Sequence, residues 1–239
     1  MKGFEMARPD AVISVRDRFG TLLRQSRPFM VIELLLALVC VALKLVGAIH
    51  NPTLLILIIG WLSLWLRRSG WRQIGLGHPQ RWWWTLLFGV AIGVAYDAID
   101  ILGVLPMLHR ITGEAIHVEA LGNSMRGNFP ALLPYVALVW VFGAFTEELT
   151  YRGYLFNRLT DLLGGSRPAL ATGFILVSFL FGIVHWTQGR TGILDNILAG
   201  ILFMALYLFS GRNLWLPIIV HGVVDTTSLI LLYLGFTPR

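Results

Sequence analysis

Charge is scarce in this 239-residue chain: 13% of its residues are Asp, Glu, Lys or Arg, against about a quarter in an ordinary soluble domain. A water-soluble fold of this size needs polar residues to cover its surface. With 56% hydrophobic residues and a mean hydropathy of +0.71, this chain has too few, and its apolar excess calls for lipid as solvent. Cysteine is nearly absent as well. The single Cys40 excludes an intrachain disulfide framework and, set inside an apolar run, reads as a buried, inert thiol. Lysine is limited to Lys2 and Lys44, so arginine supplies almost all of the positive charge. The net charge of +6 would suit nucleic acid, but the cations stand between apolar runs rather than along one face. They are read as topology signals, and no nucleic-acid partner is expected.

A membrane helix needs roughly 20 mostly apolar residues. The sequence supplies seven such runs, at about 29–49, 52–67, 82–106, 130–156, 168–188, 191–210 and 213–236. Turns are marked by Asn51-Pro52, by Gly164-Gly165 before Pro168, by Gly189 and by Gly211-Arg212-Asn213. The expected fold is all-α, a polytopic membrane bundle of about seven, or eight, transmembrane helices embedded among membrane lipids. It divides into a tail (1–28), an N-terminal transmembrane region (29–129) and a transmembrane core (130–236). The tail is too long and polar for a cleaved signal, so the first span is expected to stay as an anchor. Six cations in the tail, none in the next loop and four in the 67–81 loop place the N-terminus in the cytoplasm. The later loops, with Arg110 and Arg126 outside and Arg158 and Arg167 inside, tie.

Trp82, Trp83 and Trp84 after Arg81 read as an interfacial aromatic belt, with a binding platform as the alternative. The 107–129 loop holds His109, Glu114, His117 and Glu119, either solvated residues or ligands on a lid or re-entrant segment.

Ionisable groups inside spans are costly, so each needs a reason. Lys44 can snorkel to the interface. Asp97 and Asp100 either pair with a cation, line a water-filled cavity or mark a helix break. Asp195 with Asn196 reads as an interfacial or interhelical polar contact. The remaining groups form three clusters. In Glu147-Glu148-Leu149-Thr150-Tyr151-Arg152, Glu148 and Arg152 share a helix face while Glu147 points about 100° away. Arg152 is expected to neutralise Glu148 and leave Glu147 to a cavity. His185 ends the fifth span, behind Phe181. His221 and Asp225 are an i,i+4 pair, suited to two ligands of one cation or to a carboxylate orienting an imidazole. If the turn between the fourth and fifth spans centres on Gly164-Gly165, Glu147 and His185 differ in height by only about 3 Å. His221, early in the seventh span, reaches them only through tilt or a broken helix. Together the groups amount to a site for water activation, with Glu147 as general base beside two imidazoles.

The motifs Glu147-Glu148-x-x-x-Arg152, Phe181-x-x-x-His185 and His221-x-x-x-Asp225 resemble the CAAX protease and bacteriocin-processing (CPBP, or Abi) intramembrane proteases, including the type II CAAX prenyl protease. Each piece alone is weak; three in order, each in a span, are specific. The resemblance covers about residues 130–235. It implies a membrane-embedded endopeptidase acting on a membrane-associated protein or peptide, with Glu147, Glu148, Arg152, His185, His221 and Asp225 as site residues. It also implies a divalent metal, zinc foremost, on His185, His221, Glu147 and Asp225, or else a metal-free glutamate mechanism. Asp225, where eukaryotic prenyl proteases carry Asn, resembles prokaryotic members and points to a bacterial or archaeal cell membrane. The competing reading is a non-hydrolytic membrane protein, a catalytically silent scaffold or a proton or ion relay through Asp97, Asp100, Glu147, His185 and His221. His-Glu-x-x-His and Gly-x-Ser-Gly are both missing, which disfavours other intramembrane protease chemistries.

Overall fold

Local sequence signals start four of the helices. Ser26, Asn51, Asn128 and Ser166 each accept a hydrogen bond from a backbone N–H of the first turn, and each precedes a proline placed in that turn, where its missing donor costs nothing. Gly164 and Gly165, with φ of +86° and +66°, make the turn between two of these helices. The computed structural model describes residues 15–236; the tail assignment for residues 1–14, including Lys2 and Arg8, lies outside the described residues.

The described elements are all helical. In chain order they are α1 (Val15–Gln25), α2 (Arg27–Leu45), α3 (Pro52–Leu66), α4 (Trp82–Thr112), α5 (Glu119–Met125), α6 (Phe129–Leu162), α7 (Arg167–Ile183), α8 (Gly189–Phe209) and α9 (Trp215–Tyr233). One-turn helices at Trp71–Ile74 and Trp186–Gln188 lie in connections. Seven of the helices coincide with the seven apolar runs. Five of them, those containing α2, α4, α6, α8 and α9, are long and apolar enough to cross a membrane. The other two, α3 with 15 residues and α7 with 17, rise only about 22 and 25 Å, short of a hydrocarbon core of about 30 Å.

Three boundaries differ from expectation. The third run was expected to stop at Pro106, but α4 continues to Thr112 because a π-helical turn at Asp100–Val104 precedes the proline and absorbs the lost N–H. The fourth run was expected to end at residue 156, yet α6 extends to Leu162 through two further π-helical stretches. The fifth ends early, at Ile183, and the chain turns through His185 rather than continuing to residue 188.

The bundle has two distinct ends. At one, Arg24 Nε donates to Arg67 O at 2.7 Å, Leu214 N to Gly75 O at 2.9 Å and Asn213 Nδ2 to Gly77 O at 2.9 Å. At the other, His117 N donates to Gln188 O at 3.0 Å and Gly127 N to Tyr233 O at 2.9 Å. Arg24, Arg27, Arg67, Arg68, Arg72, Arg81, Arg158, Arg167 and Arg212 belong to the first end, and Lys44, Arg110, Arg126 and Arg190 to the second. The first end is braced by an ionic cluster that no sequence motif announced. Glu33, inside the first apolar run and 3% exposed, receives Arg67 Nη2 at 2.7 Å and Arg158 Nε at 3.1 Å. It thereby ties α2 to the end of α3 and to the last turns of α6.

The core lies where α6, α7, α8 and α9 meet, around the fully buried Tyr151, Phe156, Phe181, Phe203, Met204 and Tyr207. Outward faces are apolar: Leu102, Trp83 and Phe209 are each more than 80% exposed, an arrangement untenable in water but neutral against lipid chains. Gly222 lets α9 approach α6 closely, since a Cβ there would lie 2.6 Å from the Trp140 ring.

Candidate active site

Two of the site carboxyls sit in the middle of α6, on a three-residue α-helical stretch, Thr146–Glu148, between π-helical segments at Val139–Phe145 and Leu149–Phe156. Such wide turns leave carbonyls off the regular ladder. Polar side chains take these up: Thr150 Oγ1 donates to Thr146 O at 2.8 Å, and Asn157 Nδ2 to Gly153 O at 2.7 Å. Within a bilayer, where no water can satisfy a freed backbone group, that compensation is required.

Glu148 and Arg152 are both fully buried and paired, with Arg152 Nη1 donating to Glu148 Oε1 at 2.8 Å, as their spacing suggested. Arg152 Nη2 also donates to Gly200 O on α8 at 3.1 Å, and the guanidinium lies 4.4 Å from the centre of the Phe181 ring. Glu148, expected to be neutralised by Arg152 and counted among the site residues, has a second partner as well. His221 Nδ1 donates to the same Oε1 at 2.9 Å. The carboxylate that orients His221 most closely is therefore Glu148, from another helix, whereas Asp225 Oδ2 stands 3.5 Å from Nε2. The imidazole stacks on Phe203 at 4.6 Å with an 18° tilt and meets Phe181 edge-on at 6.0 Å.

His185 lies just past the end of α7. Its ring folds back so that Nδ1 bonds to Phe181 O at 2.8 Å. A carbonyl only accepts, so Nδ1 carries the hydrogen and Nε2 is left as the bare nitrogen of the neutral ring. Phe181 packs against both imidazoles, 5.1 Å from that of His185 and 6.0 Å from that of His221.

Glu147, His185, His221 and Asp225 line one cavity of about 360 Å³. Glu147 makes no hydrogen bond to another described residue. Gly143, one turn earlier on α6, leaves room for Asp225: a Cβ there would be 3.0 Å from its Oδ2. Glu148 and Arg152 stand behind the wall, Glu148 against His221 and Arg152 against Phe181, and both of these contacts line the cavity.

Asp97, Asp100 and Asp195 line the same cavity, which realises one of the alternatives for the first two. Asp100 also opens the π-helical turn of α4, so it marks a helix irregularity as well. Asp195, expected as an interfacial or interhelical polar contact, lines the space shared with the site. Ile116 and Val118, from the loop after α4, form part of the wall beside Gln188. Glu114 accepts from the backbone N–H of Arg190 and forms an ion pair with its guanidinium, 3.5 Å away. Thr191 Oγ1 donates to Glu114 O at 2.7 Å. This loop is thus tethered to the start of α8. The backbone N–H of Arg190 holds the Glu114 carboxyl below the usual carboxylate range. Trp82 packs on Trp215 at 5.0 Å and Trp83 is outward; both line a separate apolar pocket with Trp140 and Phe145 rather than the cavity of Glu147.

A divalent metal would need at least three free donors at one point. Glu148 and Asp225 face the two ring nitrogens of His221, which leaves Nε2 of His185 and the Glu147 carboxyl as the free donors. Among the described residues no group of three His, Cys, Asp or Glu side chains is arranged to hold a metal ion. In this arrangement the expected zinc ligands His185, His221, Glu147 and Asp225 share a cavity but do not form a coordination set. Cys40, buried and unpaired, stays out of the site.

Residues 129–227 match the family model described as type II CAAX prenyl endopeptidase Rce1-like. The matched segment contains all three motifs, and α2, α3 and α4 precede it. No curated protein and no solved structure matches the chain.

Proposed function

Starting from a type II CAAX endopeptidase match over residues 129–227, we propose that the cavity is the active site of an intramembrane endopeptidase acting on a membrane-associated protein or peptide. The observation that carries this reading is the meeting of Glu147, His185, His221 and Asp225, from α6, the end of α7 and α9, on one cavity.

The chemistry follows from which atoms are free. Glu147, without another partner, accepts a proton from a water that His185 Nε2 helps to hold. The resulting hydroxide adds to the scissile carbonyl. His221 donates through Nδ1 to Glu148 and, when protonated, presents Nε2–H to the oxyanion, with Asp225 balancing its charge. Glu147 then returns its proton to the leaving nitrogen as the C–N bond breaks. Glu148 and Arg152 are positioning residues, since they act on the reaction through His221. No step is routed through a metal. The relay alternative has the Asp97–Asp100–Asp195 wall in its favour, but it gives no reason for the match to a protease family.

The arginine-rich end supports a cytoplasmic N-terminus, which puts the cavity-bearing end on the opposite side of the membrane. A bacterial or archaeal cell membrane remains the proposed location. The test of function is cleavage of membrane-peptide libraries by reconstituted protein. Wild type is expected to cleave, with Glu147→Ala and His221→Ala reduced by at least 10²-fold, and equal turnover by all three proteins would overturn the reading.

A further inference from the structure

The cavity has a second polar wall that the hydrolytic scheme leaves unused. Asp100 on α4 and Asp195 on α8 line it together, and Oδ1 of each is buried without a donor. Asp100 is only 7% exposed. The Tyr96 hydroxyl on the same wall is also buried without a partner, and Asp97 receives only the Ser228 hydroxyl, at 3.4 Å. No lysine or arginine among the described residues lines the cavity.

Carboxyl oxygens buried on one wall need a donor, because an ionised carboxylate is acceptor-only. A proton shared by Asp100 and Asp195 would satisfy one contact and leave Asp97 and Tyr96 as they are. The described side chains are not arranged to ligate a metal ion here either. An ammonium brings three donors and a guanidinium five, and either would match the charge of the wall.

Position fits a substrate side chain. Ser228, which Asp97 faces, lies three residues beyond Asp225 on α9, about 4.5 Å along the helix. Asp195 lies eight residues from Phe203, the His221 stacking partner, about 12 Å along α8. An extended peptide covers that interval in one to four residues at about 3.3 Å each.

We propose that Asp97, Asp100 and Asp195 form a specificity subsite for a cationic side chain, Lys or Arg, within four residues of the bond presented to Glu147. This rests on the peptidase reading. The test uses peptides on one scaffold in which Lys, Arg or the neutral norleucine is walked through those positions, with cleavage by reconstituted protein read by mass spectrometry. At one position Lys or Arg is expected to raise kcat/KM at least tenfold over norleucine. In Asp100→Asn/Asp195→Asn that ratio falls below twofold through a higher KM for the cationic peptide, while the norleucine peptide is cleaved within twofold of wild type. Asp97→Asn, a milder variant checked by thermal melting, reduces the ratio at least threefold. An absent preference in wild type, or one unchanged in the variants, overturns the subsite and leaves a carboxyl pair that only shares a proton. If no peptide is cleaved at all, the peptidase reading is what fails. The subsite is then judged by fluorescence anisotropy of labelled Lys and norleucine peptides on solubilised wild type: tenfold tighter binding of the Lys peptide supports it, and equal affinity overturns it.

Discussion

Removing the charge of Glu148 should separate stability from activity. Glu148 Oε1 accepts from both Arg152 and His221, and Glu148 and Arg152 are 0% exposed. Glu148→Gln keeps the shape and one acceptor but leaves the Arg152 guanidinium buried without its counter-charge. Breaking a buried pair from one side costs about 3–5 kcal/mol, and Arg152→Met, which strands Glu148, should cost a similar amount. Replacing both removes the charges together, so the double variant should lose markedly less than the sum, with a coupling of about 2–3 kcal/mol. The two singles and the double would be compared by denaturant titration in mixed micelles. Activity should not recover with stability, because His221 loses its carboxylate in both Glu148 variants; a drop of roughly 10²-fold in kcat is expected from lost orientation. Additive stability losses would refute the energetic coupling of the two buried charges. Wild-type turnover by the stable double variant would refute the positioning of His221 by Glu148.

The tether between the loop after α4 and the start of α8 should depend on pH. Because the Glu114 carboxyl is held below its ordinary value in the folded protein, its contribution is present above the unfolded carboxylate range and is lost as pH falls through the lower folded value. Hydrogen exchange at residues 113–118 and 188–191 should therefore be slow at neutral pH and fast in acid, and Glu114→Gln should be fast at both; equal protection in the variant at neutral pH would contradict this. Chelator treatment should leave peptide cleavage within twofold, whereas loss restored by added zinc would show that the donors rearrange into a coordination set. In a Cys40→Ala background, Ser69→Cys should be labelled from the cytoplasmic side and Ser124→Cys from the opposite one, and the reverse pattern would invert the orientation argued from the arginines.

Much of the bundle was readable as apolar runs and capping residues, because lipid allows few alternatives to a helix and Ser or Asn followed by Pro marks where one starts. The pairing of Glu148 with Arg152 was readable for the same local reason, since both lie on one helix face. What escaped was contact between helices. Nothing local says that Asp195 on α8 shares a cavity wall with Asp100 on α4, that Glu33 receives two arginines from α3 and α6, or that Glu148 rather than Asp225 is the closer orienter of His221. The ends of α4 and α7 were missed because a π-helical turn lets a helix pass Pro106, and because His185 bonds back to Phe181 O and draws the chain out of its helix.

The π-helical stretches of α6 also act as phase slips in a rotary register. Each inserts one residue beyond the regular helical repeat, equivalent to about 100° of rotation, and the two lie on either side of Thr146–Glu148. Glu147 therefore owes its bearing to the number of residues before it as much as to its own identity. A one-residue deletion within 139–145 that closed the first slip would leave that bearing nearly unchanged, but a deletion that left the slip in place, or a slip closed with no residue removed, would turn Glu147 by about 100° relative to the start of the helix. The motif would survive intact in the sequence while its carboxylate swung away from the cavity, so in this chain the spacing upstream of the motif belongs to the site.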